Sequence, residues 1–331
     1  MMADNANLFN RLPIVSHLRK SVGLQRAMLI TGLLLCGIFI IVAIFAPVLA
    51  PYSYNQIKDS DGKLFGSRLE PGSPGHILGT TVGGFDVLSR VIWGAQTAAL
   101  AIVLAVLFSI FIGIFLGLIS GYIGGWVDRV LVVLADAIYS FPSLLLAILM
   151  AIAISKGESS LWGGIIASGI SITVVFVPQY FRVVRAEGIR IKSELYVDAA
   201  KAIGVSTPKI MFSHIFRNST RTLPVIFTLN SSEAILTLAG LGFLGFGIEP
   251  TAAAEWGYDL NRAMSDVTGG IWWTAMFPGL AIVLVVLGVT LVGESLNDLS
   301  DPRLRERRSG KVEETEITPI PIDQVTEANH E

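Results

Sequence analysis

Residues Leu100–Ile119 read LAIVLAVLFSIFIGIFLGLI. The run does not alternate between apolar and polar positions. It sits inside a gap without Lys, Arg, Asp or Glu that extends from Val91 to Val127. About 20 apolar residues in a helix cross a bilayer core, and a lipid-exposed strand would leave backbone groups unpaired. The stretch therefore reads as a transmembrane helix. Similar gaps run from Ala27 to Ile57, Ser159 to Phe181 and Val267 to Gly293. Only 15% of the 331 residues are charged, 52% are hydrophobic, and the mean hydropathy is +0.65. Soluble domains are about 25% charged.

Working outward, six spans are predicted: 27–49, 96–119, 130–154, 161–181, 223–247 and 271–293. The fold class is an all-α membrane protein with six transmembrane helices. The first apolar stretch, Ala27–Ala50, is 24 residues long. A signal h-region has about 7–15, so the stretch reads as a retained helix although Val48-Leu49-Ala50 resembles a cleavage site. The single cysteine, Cys36, lies in this run. It has no partner for an internal disulfide and reads as a small residue in apolar surroundings.

Orientation follows from Lys and Arg. With the N-terminus cytoplasmic, the inside segments hold four (1–26), one (Arg129), eight (182–222) and five (294–331), which is 18 of the chain's 24. Both termini are therefore expected inside. The segment 248–270, with Glu249, Glu255, Asp259 and Asp266 against Arg262, reads as an outside loop. All six Trp residues lie at or beyond span ends, as an aromatic belt would place them. The tail from Ser309 is acidic, carries Pro319 and Pro321, and is expected to be disordered.

The segment 182–222 is longer than a connector needs and has helical structure of its own. Leu195, Ala199, Ala200 and Ile203 have helical spacing and are expected to form one apolar stripe. Gly204 suits a helix C-terminus. Ser206 or Thr207 can cap a second helix, with Pro208 near its first position, and Ile210, Met211, His214 and Ile215 continue the period. Such a basic helix pair could lie on the membrane surface or dock into a groove on a cytoplasmic partner.

Asp198-Ala199-Ala200-Lys201-Ala202-Ile203-Gly204 resembles the "EAA…G" loop of bacterial ABC importer permeases. The chain is similar to the peptide and nickel branch of these binding-protein-dependent systems, specifically its dipeptide/oligopeptide C-type subunit. The similarity rests on His76–Thr80 with Asp86–Arg90, Gly121–Gly125 with Asp128 and Arg129, Asp136 and Pro142, and Leu241–Gly247 with Glu255-Trp256-Gly257. Pro278-Gly279 and Asp301-Pro302-Arg303 complete an ordered set over about residues 20–305. Departures are Asp198 where the family has Glu, Phe216-Arg217-Asn218 where it has LPN, and Gly84-Phe85 where it has GR.

The resemblance implies a type I ABC importer permease fold in the bacterial inner membrane. It divides the chain into a cytoplasmic tail (1–26), a first helix with its outer loop (27–95), a permease core (96–305) and an acidic tail (306–331). It implies that Leu195, Asp198, Ala199, Ala200, Ile203 and Gly204 couple the chain to a cytoplasmic ATPase subunit. It further implies a second homologous permease and an extracytoplasmic binding protein that meets 50–95 and 248–270. No nucleic acid is expected as a partner. The expected cargo is a di- or oligopeptide, with nickel or another small solute as the alternative. The chain has no G-x4-G-K-[ST] loop to cradle phosphates, so ATP and Mg2+ belong on the partner ATPase and no cofactor is expected here.

Asp136 and Glu233 are the acids within the spans. An acid at membrane depth is costly and is a pathway candidate. The other reading is an interhelical bond that organises the bundle, favoured for Asp136; for Glu233 both readings stand. Gly113, Gly117, Gly121, Gly124 and Gly125 read as close-packing positions rather than hinges. An ion-coupled secondary transporter would explain the helices and acids but not the basic helix pair. An intramembrane enzyme lacks support: there is no HExxH, and His17, His76, His214 and His330 all lie outside the spans.

Overall fold

The computed structural model describes residues 23–155, 160–216, 223–249 and 251–300. The N-terminal tail to residue 22, Arg217, Asn218, the motif Asp301–Arg303 and the acidic tail lie outside the described residues. The chain divides into two compact units. The larger unit is Val22–Ser295; of the other only Leu296–Ser300, the end of a helix, is described.

The described residues are helical, with three isolated β-bridges and no regular strand among them. The helices are α1 (Leu24–Leu49), α2 (Val87–Ile123), α3 (Gly125–Tyr139), α4 (Ser143–Ser155), α5 (Leu161–Lys192), α6 (Leu195–Ala202), α7 (Thr207–Lys209, running into a π-helical turn Ile210–Ile215), α8 (Leu223–Phe243), α9 (Trp256–Thr268) and α10 (Trp273–Ser300). Five are long and apolar enough to cross a membrane. The expected third span, 130–154, is not one helix. It is the pair α3 and α4, bent by 96°. Pro142 lacks an N–H and pushes the residue before it out of the helical region, so the chain breaks at Ser140–Pro142. The pair adds a sixth crossing only if it counts as one.

Helix α2 starts nine residues before the expected span. Asp86 caps it, accepting from the Ser89 N–H at 2.8 Å and the Ser89 hydroxyl at 2.7 Å. Helix α5 runs to Lys192, so the first part of the expected 182–222 loop is helix. The most extensive helix contact is between α2 and α5. It is a seam of small residues: a Cβ on Gly113 would strike Tyr180, one on Gly117 the Phe181 carbonyl, and one on Gly121 the Arg185 carbonyl. Small residues let membrane helices approach closely, so the packing reading holds for these three; Gly124 and Gly125 have open space around a Cβ and sit at φ 72° and 65°, so they serve the turn between α2 and α3 instead. Large apolar side chains of α1 such as Leu34, Ile41, Ile44 and Val48 stay exposed, as a lipid-facing helix requires.

Two expected exposed segments are ordered. In 50–86, Thr80 donates to the Gly66 carbonyl at 2.6 Å and accepts from the Leu69 N–H at 2.8 Å, while buried His76 meets Asp86 at 2.9 Å. In 248–270, three of the four acids are buried and α9 packs on α8. The aromatic-belt reading is also corrected in part. Trp126, Trp162 and Trp272 are exposed, but Trp256 and Trp273 are buried and donate to the Val91 and Thr80 carbonyls at 3.0 and 3.3 Å.

Candidate functional site

The helix pair expected from the sequence forms, with a different burial pattern. Asp198 lies in the first turn of α6 and Lys201 in the last, signs that suit the helix dipole. They pair with each other at 2.9 Å on an exposed face. The helix ends with the Gly204 N–H on the Lys201 carbonyl and the Val205 N–H on the Ala200 carbonyl, both 3.0 Å. These two bonds make a Schellman cap. Gly204 sits at φ 80°, a backbone region that costs an L side chain strain. Ser206 then stands at the N-cap of α7, with its carbonyl rather than its side chain engaged, at 3.1 Å from the Ile210 N–H.

The single stripe Leu195, Ala199, Ala200, Ile203 is split by the structure. Ala200 turns inward beside Val197, which is fully buried, together with Ile191, Ile210 and Met211. Leu195 and Ile203 are 86% and 80% exposed, and Ala199 is exposed with them. Residues four apart share a helix face, so 195, 199 and 203 form one ridge while 197 and 200 form the packed side. Apolar residues on both sides of α6 gave no way to tell them apart without the neighbouring helices.

Asp136 is held in an ion pair between helices. It pairs with Arg182 at 2.9 Å, both half exposed, and the Arg182 guanidinium lies 4.0 Å over the Tyr139 ring. A second pair, Asp128 with Arg185, is bidentate, with the Arg185 Nη2 at 2.8 Å and the Ser120 hydroxyl also donating to Asp128. The two pairs fasten α3 to α5. Glu233 lies elsewhere. It is half-buried at the middle of α8 and lines a cavity of about 180 Å³ with Tyr139, Phe141, Ser143 and Gln179.

Sequence reading missed a buried polar cluster at the other end of α2. Arg90, 2% exposed, donates through Nε to both Asp259 oxygens at 2.7 and 2.9 Å, and through Nη1 to the Tyr54 carbonyl at 3.0 Å. Arg68 holds Asp266 at 2.7 Å. Glu255 caps α9, accepting from the Gly257 and Tyr258 N–H groups at 2.8 Å each. Burial pushes the Glu255 acid up to about 8 against the pull of those two bonds, and burial also raises Asp259 against the opposing charge of Arg90. A Cβ on Gly242 would overlap the Glu255 carboxylate, and Gly247 lies against Gly242. The two motifs 241–247 and 255–257 thus form one packed unit. The signals in the sequence were the excess acid in 248–270 and the motifs Asp86–Arg90 and Glu255–Gly257, neither of which says that the two segments meet.

Comparison with known proteins agrees with this architecture. Residues 113–306 match the family model for the binding-protein-dependent transport system inner membrane component. Residues 24–71 match the N-terminal transmembrane domain of oligopeptide transport permease C. A dipeptide transport system permease protein of Alkalihalophilus pseudofirmus is 37% identical over 276 residues, 83% of this chain and 86% of the relative. A glutathione transport system permease protein of Shigella flexneri is 34% identical over 281 residues, 85% and 88% of the two chains. One from Salmonella paratyphi A is 36% identical over 266 residues, 80% and 83%. With its apolar helices and broken α3–α4 pair, this multi-pass chain belongs to the family of inner membrane components of binding-protein-dependent transport systems.

Proposed function

We propose that the chain is one half of the membrane pathway of an ATP-driven importer of di- and oligopeptides. The observation that carries this reading is the exposed ridge Leu195, Ala199 and Ile203 on an ordered helix pair. Val197 and Ala200 already satisfy the packing of α6, so the ridge is spare apolar surface on a basic segment. An amphipathic helix of this kind lies in the groove of a partner, here the cytoplasmic ATPase subunit. Closure of two such subunits on ATP would then bias the membrane helices between two states. Asp198 can meet a basic group beside the groove. ATP and Mg2+ are held by the partner, and this chain contributes no catalytic residue.

The distribution of Lys and Arg supports six crossings with both termini cytoplasmic, α3 and α4 together making the third. A second, related permease supplies the other half of the pathway. A binding protein delivers cargo to the face built by 50–86 and α9. The peptide assignment is supported by relatives named for dipeptide and glutathione transport.

The test is to purify the chain from membranes with the subunits it holds and to assay ATP hydrolysis, with and without Ala199→Glu. The expected result is an ATPase that co-purifies with the native chain and is lost from the variant. Uptake that persists in energised vesicles without ATP, with no ATPase in the preparation, would overturn the reading in favour of an ion-coupled transporter.

A further inference from the structure

The break between α3 and α4 opens a cavity of about 180 Å³ walled by three elements: the break itself, Val175 and Gln179 of α5, and Glu233 of α8. Glu233 is the eleventh of the 21 residues of α8, about 15 Å from either end at 1.5 Å per residue. Its carboxylate has no ion-pair or hydrogen-bond partner among the described residues, and neither has the Gln179 amide. Among the described residues no Lys, Arg or His lines the cavity. Arg182, one turn beyond Gln179, is committed to Asp136 and to the Tyr139 ring. A carboxylate held at this depth without a counter-charge is costly to the fold, and nothing in the bundle uses it.

The lining says what would suit it. Glu233, the Gln179 carbonyl and the Ser143 hydroxyl are acceptors, which matches a group with several N–H donors. Phe141 is an aromatic wall of the same cavity, and aromatic faces attract cations. The space is smaller than the roughly 300 Å³ at which pockets enclose a whole drug-sized ligand, so it takes one end of a molecule. A second cavity of about 180 Å³ opens at the far end of α4, where Ser155, Ser160, Ser168 and Glu249 are among the described residues that line it. Helix α4, about 20 Å long, therefore has an acid-bearing polar cavity at each end.

We propose that the cavity at the α3–α4 break binds the protonated amino terminus of the translocated peptide, with Glu233 as its counter-charge and Gln179 and Ser143 as further acceptors. The proposal rests on the peptide-importer reading above and adds a recognition site within this chain.

The experiment uses the whole transporter, with its partner subunits and binding protein, in proteoliposomes supplied with ATP. Uptake of labelled dialanine and of N-acetyl-dialanine is measured for the native chain, Glu233→Gln and Glu233→Asp. The binding protein is a separate chain, so it is identical throughout. Loss of one charge-assisted contact is expected to slow dialanine uptake about tenfold in Glu233→Gln. Glu233→Asp should retain most of the rate, and any uptake of the acetylated compound should be the same in all three. A second measurement needs no variant. Carbodiimide labelling of Glu233 in the native complex, read by mass spectrometry, should be slowed by dialanine and not by N-acetyl-dialanine. Equal dialanine uptake in native and Glu233→Gln transporters, or labelling that dialanine does not slow, overturns the proposal and leaves the importer reading intact. A native transporter that takes up no peptide overturns both.

Discussion

Arg90 and Asp259, 169 residues apart in the chain, meet in a buried, two-bond ion pair that joins the start of α2 to α9. Their neighbours repeat the pattern, with Arg68 on Asp266 and the Trp256 indole on the Val91 carbonyl. Together these contacts fix 50–86 and α9 as one ordered face rather than two loops.

Removing one member of this pair leaves a buried charge without its partner. Arg90→Ala is expected to destabilise the protein by about 3–5 kcal/mol. The double variant Arg90→Met with Asp259→Leu should recover most of the loss, because buried pairs replaced by apolar residues are often neutral. Denaturant unfolding of the three proteins in detergent measures both effects.

Glu255 gives a pH dependence whose sign can be worked out. Its acid is raised from 4.5 to about 8 in the folded protein. Between those values the folded state keeps a proton that the unfolded state has released, so stability falls as pH rises through the window and is greatest below it. Melting temperature measured from pH 5 to pH 8.5 should decline, and Glu255→Gln, which stays neutral, should flatten that decline.

The α2–α5 seam tolerates no added volume. Gly117→Leu would drive a side chain into the Phe181 carbonyl and Val184. Overpacking of this kind costs about 1–3 kcal/mol. The expected result is a smaller monodisperse fraction on size exclusion, whereas Gly37→Leu, with open space around it, should behave as the native chain.

The cap of α6 depends on backbone conformation alone. Nothing surrounds a Cβ placed on Gly204, yet its φ is 80°. Gly204→Ala should therefore cost about 1–2 kcal/mol from left-handed strain, and Gly204→Asn less. Hydrogen exchange of the α6 amides reports the difference. The ridge residue Ala199→Glu should leave that exchange unchanged, while Ala200→Glu, on the packed side, should accelerate it.

The sequence by itself determined that the chain crosses a membrane by helices, roughly where they lie, and that a helix, turn, helix unit follows the fourth. These features are local: runs of apolar residues, gaps between charges, and Gly204 and Pro208 act on their own segment of backbone. The break at Pro142 was a local signal too, but a continuous apolar run hid it. Tertiary structure alone decided which side of α6 is spare, since Val197 and Ala200 are buried only because the neighbouring helices Leu161–Lys192 and Ile210–Ile215 arrive beside them. It also decided that Asp136 is neutralised by Arg182 while Glu233 is left facing a cavity. Both acids look alike in a sequence, because the free energy of a charge depends on what stands within a few ångströms in space, and those groups come from helices tens of residues away.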